Sequence, residues 1–129
     1  MRQEASQWFA LAQADLATAG QLLRDDIYYA SVFFAQQAAE KALKSLWIEH
    51  REELAPRTHN LVALATALGG EDSTIRAAAE LSPEYVLTRY ITPDVASPQE
   101  LYDQESAQVH LQAARLIVNW VQEQLRSEI

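Results

Sequence analysis

The sequence predicts an all-α domain, an antiparallel up-and-down bundle of four to five helices. Three observations carry that reading. Alanine and leucine are abundant while runs of β-branched residues are scarce, which favours helix over strand. Apolar residues recur at three- and four-residue steps, the spacing that puts them on one helical face. The three glycines and four prolines fall at a few places in the 129-residue chain, so they divide it into segments. One domain over residues 1–129 is expected at this length. With 49% hydrophobic and 22% charged residues, the composition is that of a folded chain.

Trp8, Leu11, Ala12, Leu16, Ala19, Leu22 and Leu23 define a first amphipathic helix, roughly residues 4 to 24. Asp25 and Asp26 offer a carboxylate N-cap to a second helix from about Ile27 to Glu52. Its start, Tyr28 to Ala35, is apolar nearly all round and is expected to be buried on more than one side. A polar connection interrupted by Pro56 leads to a short third helix, about Asn60 to Leu68. Thr58 or Asn60 can cap it, and Gly69-Gly70 can end it in left-handed conformation. Asp72 or Ser73 starts a fourth helical stretch. Ser82-Pro83 inside it predicts a kink or brief break, followed by helix to about Tyr90. After a loop through Pro93, Ser97-Pro98-Gln99-Glu100 reads as the capping box of a last helix that reaches about Arg126.

That last helix carries two apolar stripes. Val109, Ala113, Leu116 and Trp120 form one, and Leu111, Ala114, Ile117, Val118, Val121 and Leu125 form a broader one beside it. A single stripe suffices for an intramolecular core. Two point to a partner surface that includes Leu116 and Trp120, most simply a second copy of the chain, or else to a helix central within one bundle.

Charge and composition exclude several functions. Acids outnumber bases 18 to 10, a formal charge of −8, which argues against a protein that coats nucleic acid but leaves room for a local basic cleft. The absence of cysteine excludes disulfide scaffolds, thiolate nucleophiles and Cys-ligated zinc. No apolar run approaches the roughly 18–20 residues of a membrane span, and Met1-Arg2-Gln3-Glu4 lacks the layout of a signal peptide. A soluble cytoplasmic domain is expected. HExxH, Walker and GxGxxG motifs are missing, and His50, His59 and His110 lie on separate elements, so no metal or cofactor is expected.

Three constellations remain. Gln37, Glu40, Lys41 and Lys44 are spaced three and four apart in the second helix, on one face and among apolar residues. They form either a solvated face, with a Glu40–Lys44 pair worth about 0.3–0.5 kcal/mol, or a polar stripe between helices or subunits. In Arg57-Thr58-His59-Asn60, His59 stands at the entry of the third helix. It is a capping or packing residue there, or a proton carrier near neutral pH. In Arg89-Tyr90-Ile91-Thr92-Pro93-Asp94, Arg89 and Asp94 either pin the loop or offer a guanidinium fork to a phosphate.

Taken together, Trp8 and Asp15-Leu16, the run from Tyr29 to Lys44 with its AQQAAEKALK core, Thr58-His59-Asn60-Leu61, and Arg89-Tyr90 with Pro93-Asp94 resemble the HEPN domain family (higher eukaryotes and prokaryotes nucleotide-binding), over nearly the whole chain. The resemblance implies an up-and-down helical bundle that pairs as a homodimer. It also implies a minimal nucleotidyltransferase as partner, in some cases within a toxin–antitoxin-type pair. Many members of the family are metal-independent ribonucleases with an arginine, four to six further residues and a histidine. This chain departs from that motif. After Arg89 the histidine slots hold Asp94, Val95 and Ala96, and after Arg51 the slots end at Thr58, one short of His59. The expected function is therefore a dimeric module that binds a nucleotide, a nucleotidyltransferase partner or both, with Arg89, Lys41, Lys44 and His59 on the phosphate. The alternative is a ribonuclease with a shifted site, in which Arg89 binds phosphate, His59 carries the proton and Asp94 orients one of them.

Overall fold

The computed structural model describes residues 1–82 and 101–127. Five helices are defined within them: α1 (Gln3–Arg24), α2 (Tyr28–Arg51), α3 (Leu61–Ala67), α4 (Asp72–Leu81) and α5 (Gln104–Arg126). The first three begin and end within two residues of the sequence expectation, and α4 begins where expected; its expected continuation past Ser82-Pro83 to Tyr90 lies outside the described residues. Arg89, Tyr90, Pro93, Asp94 and the proposed capping box at Ser97 lie outside the described residues.

The pairing of α1 with α2 is the broadest contact in the bundle. It is made of small side chains: Ala5, Ala12 and Ala19 on α1, and Ala35, Ala38, Ala39 and Ala42 on α2, all fully buried. Alanine lets two helix backbones approach closely and loses no side-chain entropy on burial. The helices are antiparallel, because Asp15 meets Lys41 while the Ala19 carbonyl meets Ser31. The Ser31 Oγ donates to that carbonyl at 2.7 Å. This bond ties the start of α2 into the end of α1.

α2 is the central element. Thirteen of its 24 residues are buried, and α1, α3, α4 and α5 all touch it. Leu43, Leu46, Leu61, Leu64, Leu81 and Ile117 supply the largest fully buried side chains of the core. α5 packs on α1, α2 and α4 together. It runs antiparallel to α1, since Gln13 lies near Gln122 and Leu23 near Gln108, and so runs in the same direction as α2.

The ends of the helices show where local chemistry decides. Asn60 caps α3, its side chain accepting from the Ala63 N–H at 3.1 Å, while Thr58 accepts from Asn60 instead. α3 ends in a Schellman turn: Gly69, at φ +80°, bonds back to Thr66, and Gly70 to Ala65. A side chain at Gly70 would press to 3.0 Å on the Ala65 carbonyl. Ser82 follows α4, and its Oγ accepts from the Leu61 N–H at 3.1 Å, joining the end of α4 to the start of α3.

Two expectations are corrected. Neither Asp25 nor Asp26 caps α2: the N-cap is Ile27, and Asp26 adopts φ 62° and accepts from the Tyr28 hydroxyl. The left-handed backbone at Asp26 makes the turn, its carboxylate accepts from the Tyr28 hydroxyl, and the α2 start has no side-chain cap. The last helix begins at Gln104, not near Pro98. A reciprocal capping box does set its start, but with different residues. Asp103 accepts from the Ser106 N–H at 2.8 Å, and the Ser106 Oγ accepts from the Asp103 N–H at 3.0 Å.

The width of the apolar surface on α5 also has an internal account. Trp120 is only 7% exposed and belongs to the bundle core, with Leu111, Ala114, Ile117, Val118 and Val121. Three neighbouring helices cover both stripes except Val109 and Leu116, which are 43% and 39% exposed. Among the described residues, no helix is long and apolar enough to cross a membrane.

Two stability outcomes follow. Leu46→Ala, at a fully buried position, is expected to cost about 2–5 kcal/mol in urea unfolding. The N–H and hydroxyl groups of Ser106 at Asp103 hold its carboxyl below the usual 3.8. The cap therefore contributes fully above pH 3.8 and is lost as pH falls through the lowered value. Asp103→Ala should melt below wild type at pH 7, with the gap closing in strong acid.

Candidate functional site

A helix enclosed on several sides brings its polar residues into the core with it. On α2 those are Gln36, Glu40 and Lys44, one turn apart, all buried. The side chains of Glu40 and Lys44 are 7% and 10% exposed. Burying ions is costly unless they are paired and hydrogen-bonded, and here the buried carboxylate of Glu40 gathers its partners. Glu40 Oε2 accepts from Lys44 Nζ at 3.2 Å. Glu40 Oε1 accepts from Gln36 Nε2 at 3.1 Å and faces His59 Nδ1 at 2.8 Å. The Gln36 carbonyl in turn accepts from Gln37 Nε2 at 2.6 Å, which fixes which way the Gln36 amide points.

His59 is where this network reaches the surface. Its side chain is 48% exposed while the carboxylate behind it is buried. The segment between α2 and α3 delivers it, and the Asn60 cap beside it sets the turn. A carboxylate at 2.8 Å calls for a proton on Nδ1, so in the neutral ring Nε2 is the basic nitrogen. The arrangement can hold and orient a proton-transferring or phosphate-contacting imidazole.

The four residues of the expected polar stripe therefore divide. Glu40 and Lys44 lie inside the bundle, facing the α2–α3 connection through His59. Lys41 turns toward α1, where it pairs with Asp15 at 2.5 Å with both side chains largely buried. Gln37 is half-buried and joins the cluster through Gln36. Both lysines expected to contact phosphate are thus engaged by carboxylates of the chain itself, and a phosphate would have to compete with Asp15 or Glu40 for them. The carboxylate that orients His59 is Glu40. Arg89 and Asp94 are outside the described residues.

Two participants were not singled out from the sequence. Gln36 neighbours Gln37 in the same run, and a one-residue step turns a side chain about 100° around the helix. Its signal is the i, i+4 series Gln36–Glu40–Lys44, one position off the series chosen. Asp15 lies 26 residues from Lys41, and only a contact between helices identifies it.

His110 is a contrast. It is buried in α5, its Nδ1 2.6 Å from the Ser106 carbonyl and its ring edge-on to Tyr102. Among the described residues no group of three or more His, Asp or Glu side chains could hold a metal ion.

A family model described as HEPN domain matches residues 5–124. Three solved structures resemble the chain along nearly all of its length. A crystal structure of a Thermus thermophilus protein superposes with a TM-score of 0.86 at 30% identity, covering 95% of this chain and 98% of that one. An archaeal HEPN homologue gives 0.81 at 29%, covering 96% and 98%. An HEPN domain protein from Thermotoga maritima gives 0.72 at 24%, covering 95% and 99%, a likeness of fold. Comparison with curated proteins gives no match.

The buried pair is testable by a double-mutant cycle. Glu40→Ala leaves the Lys44 ammonium in the core without its carboxylate and is expected to cost about 3–5 kcal/mol. Glu40→Leu combined with Lys44→Met should cost less than the sum of the single changes, because no unpaired charge remains. Urea unfolding of the single and double variants checks both.

Proposed function

Because this chain belongs to the HEPN domain family, we propose that it is a helical module that pairs with a second copy and binds a nucleotide, a minimal nucleotidyltransferase partner or both, as in a toxin–antitoxin-type pair. The observation that carries the reading is His59, half exposed yet fixed from behind by a buried carboxylate. A bundle built only for stability has no need of that network. Apolar side chains of similar size often hold a core as well as a buried ion pair or better. What the network adds is a surface imidazole in one orientation. In this proposal His59 and Arg89 contact the phosphate, and Lys41 and Lys44 keep their positions through Asp15 and Glu40.

A second reading is supported by the same geometry. An imidazole whose Nδ1 rests on a carboxylate can take the proton of an RNA 2′-hydroxyl at Nε2 as that oxygen attacks the adjacent phosphate. A guanidinium such as Arg89 would stabilise the charge that builds on the phosphoryl oxygens. In that ribonuclease Glu40 takes the orienting role first considered for Asp94, and no metal need be invoked.

Calorimetric titration with ATP and GTP tests the first reading. Binding is expected, with His59→Ala roughly tenfold weaker, about the 1.5 kcal/mol of one charge-assisted hydrogen bond. No heat at millimolar nucleotide would remove the nucleotide and leave the protein partner. RNA incubated with the protein in EDTA tests the second: cleavage that His59→Ala and Arg89→Ala both abolish establishes it, and intact RNA with wild type removes it.

A further inference from the structure

The groove between α1 and α5 carries two arginines and no acid among its described lining residues. Its floor is Gly20, which is buried. Arg24 and Arg115 reach over it from opposite helices. A methyl group built on Gly20 would lie 3.7 Å from a terminal nitrogen of each guanidinium, so those nitrogens are less than twice that distance apart. Arg24 donates to the side-chain carbonyl of Gln21 at 2.9 Å. Arg115 has no hydrogen-bond or ion-pair partner among the described residues. Both described lysines, by contrast, are held by carboxylates, Lys41 by Asp15 and Lys44 by Glu40. Among the described residues, no aspartate or glutamate lines this groove. Asp25, next to Arg24 in sequence, takes its hydrogen bonds from the Gln21 amide.

Two guanidiniums side by side without a counter-charge repel one another, and an anion between them converts that repulsion into two charge-assisted contacts. Their planar forks match phosphate oxygens. The groove also continues on both sides of the pair. Cavities of ≈ 210 Å³ and ≈ 380 Å³ meet at Gly20, Arg24 and Arg115. Their walls combine apolar side chains (Leu16, Leu111) with amides (Gln112, Asn119), which suit a base face and the polar edges of a base or sugar. We propose that the α1–α5 groove binds a phosphate ester, with the phosphate held between Arg24 and Arg115 above Gly20. None of these residues belongs to the His59 cluster, so this site stands or falls independently of the function proposed above. Gly20 contributes by what it lacks: a larger side chain there would occupy the phosphate position.

The test measures binding of three probes to the full chain: inorganic phosphate and ATP by calorimetry, and a fluorescein-labelled single-stranded RNA by anisotropy. Wild type is compared with Arg24→Gln/Arg115→Gln, Gly20→Met and, as a control, Arg76→Gln at an exposed position of α4. Binding of at least one probe is expected, at least tenfold weaker in the first two variants and unchanged in Arg76→Gln. Melting temperatures within a few degrees of wild type would confirm that the loss is local. Phosphate or ATP binding would identify a free anion as the ligand. Binding of RNA alone would identify a polynucleotide, and its log–log salt slope should then fall by about 0.7 per arginine removed. The proposal is overturned if none of the probes binds at millimolar concentration. It is equally overturned if the double glutamine variant binds like wild type, or if Arg76→Gln weakens binding as much as the double variant does. A double variant that alters the sedimentation mass but not probe binding would mark the groove as a protein interface and also overturn it.

Discussion

A helix covered on nearly all sides cannot send its polar side chains to water, and α2 is such a helix. Alanines bring α1 against one side of it, α5 covers another, and the α3–α4 segment closes a third. Whatever polarity α2 carries must then be neutralised inside the bundle. The carboxylate of Glu40 does this. It accepts from Lys44 and Gln36 and faces His59, so three side chains from two elements are fixed by one buried group. Without it a buried ammonium and a buried amide would lose their partners, and the connection from α2 to α3 would lose its anchor.

The same constraint explains how an acidic chain distributes its few cations. Lysines near the centre are held by carboxylates within the bundle, where low dielectric strengthens the attraction and geometry decides whether it exceeds the cost of desolvation. Arginines at the rim, Arg24 and Arg115, are left beside water and beside each other. Net charge alone suggests a protein that phosphate would avoid. Over Gly20 the charged groups are two guanidiniums, and local charge, more than the total, guides a charged ligand into a groove.

Much of the candidate site was legible in residue spacing. Glu40 and Lys44 stand one turn apart among apolar neighbours, and His59 stands at a helix entry, so both were visible as points of interest. Their meeting was not, because 19 residues separate Glu40 from His59. Only the fold back from α2 into α3 brings them to hydrogen-bond distance. Gln36 was hidden by its neighbour Gln37, since the choice between adjacent positions on a helix depends on which face the other helices cover. The apolar width of α5 left two readings open in a similar way, a surface for a second copy or a helix central within the bundle. Trp120 looks like part of a spare surface until α1, α2 and α4 are all seen to pack on one helix.

The sequence by itself determined the helical period, the positions of α1, α2 and α3, the start of α4, the Asn60 and Gly69-Gly70 ends of α3, and the family. These depend on residues close along the chain: propensity, apolar spacing, caps, and glycine at positive φ. Tertiary structure decided which polar groups are buried, which lysine meets which carboxylate, that Asp103 and not Ser97 caps α5, and that Arg24 and Arg115 share one groove. Each of these depends on the distance between residues remote in sequence, or on competition between neighbouring groups for one partner. Only packing sets such distances and settles such competition.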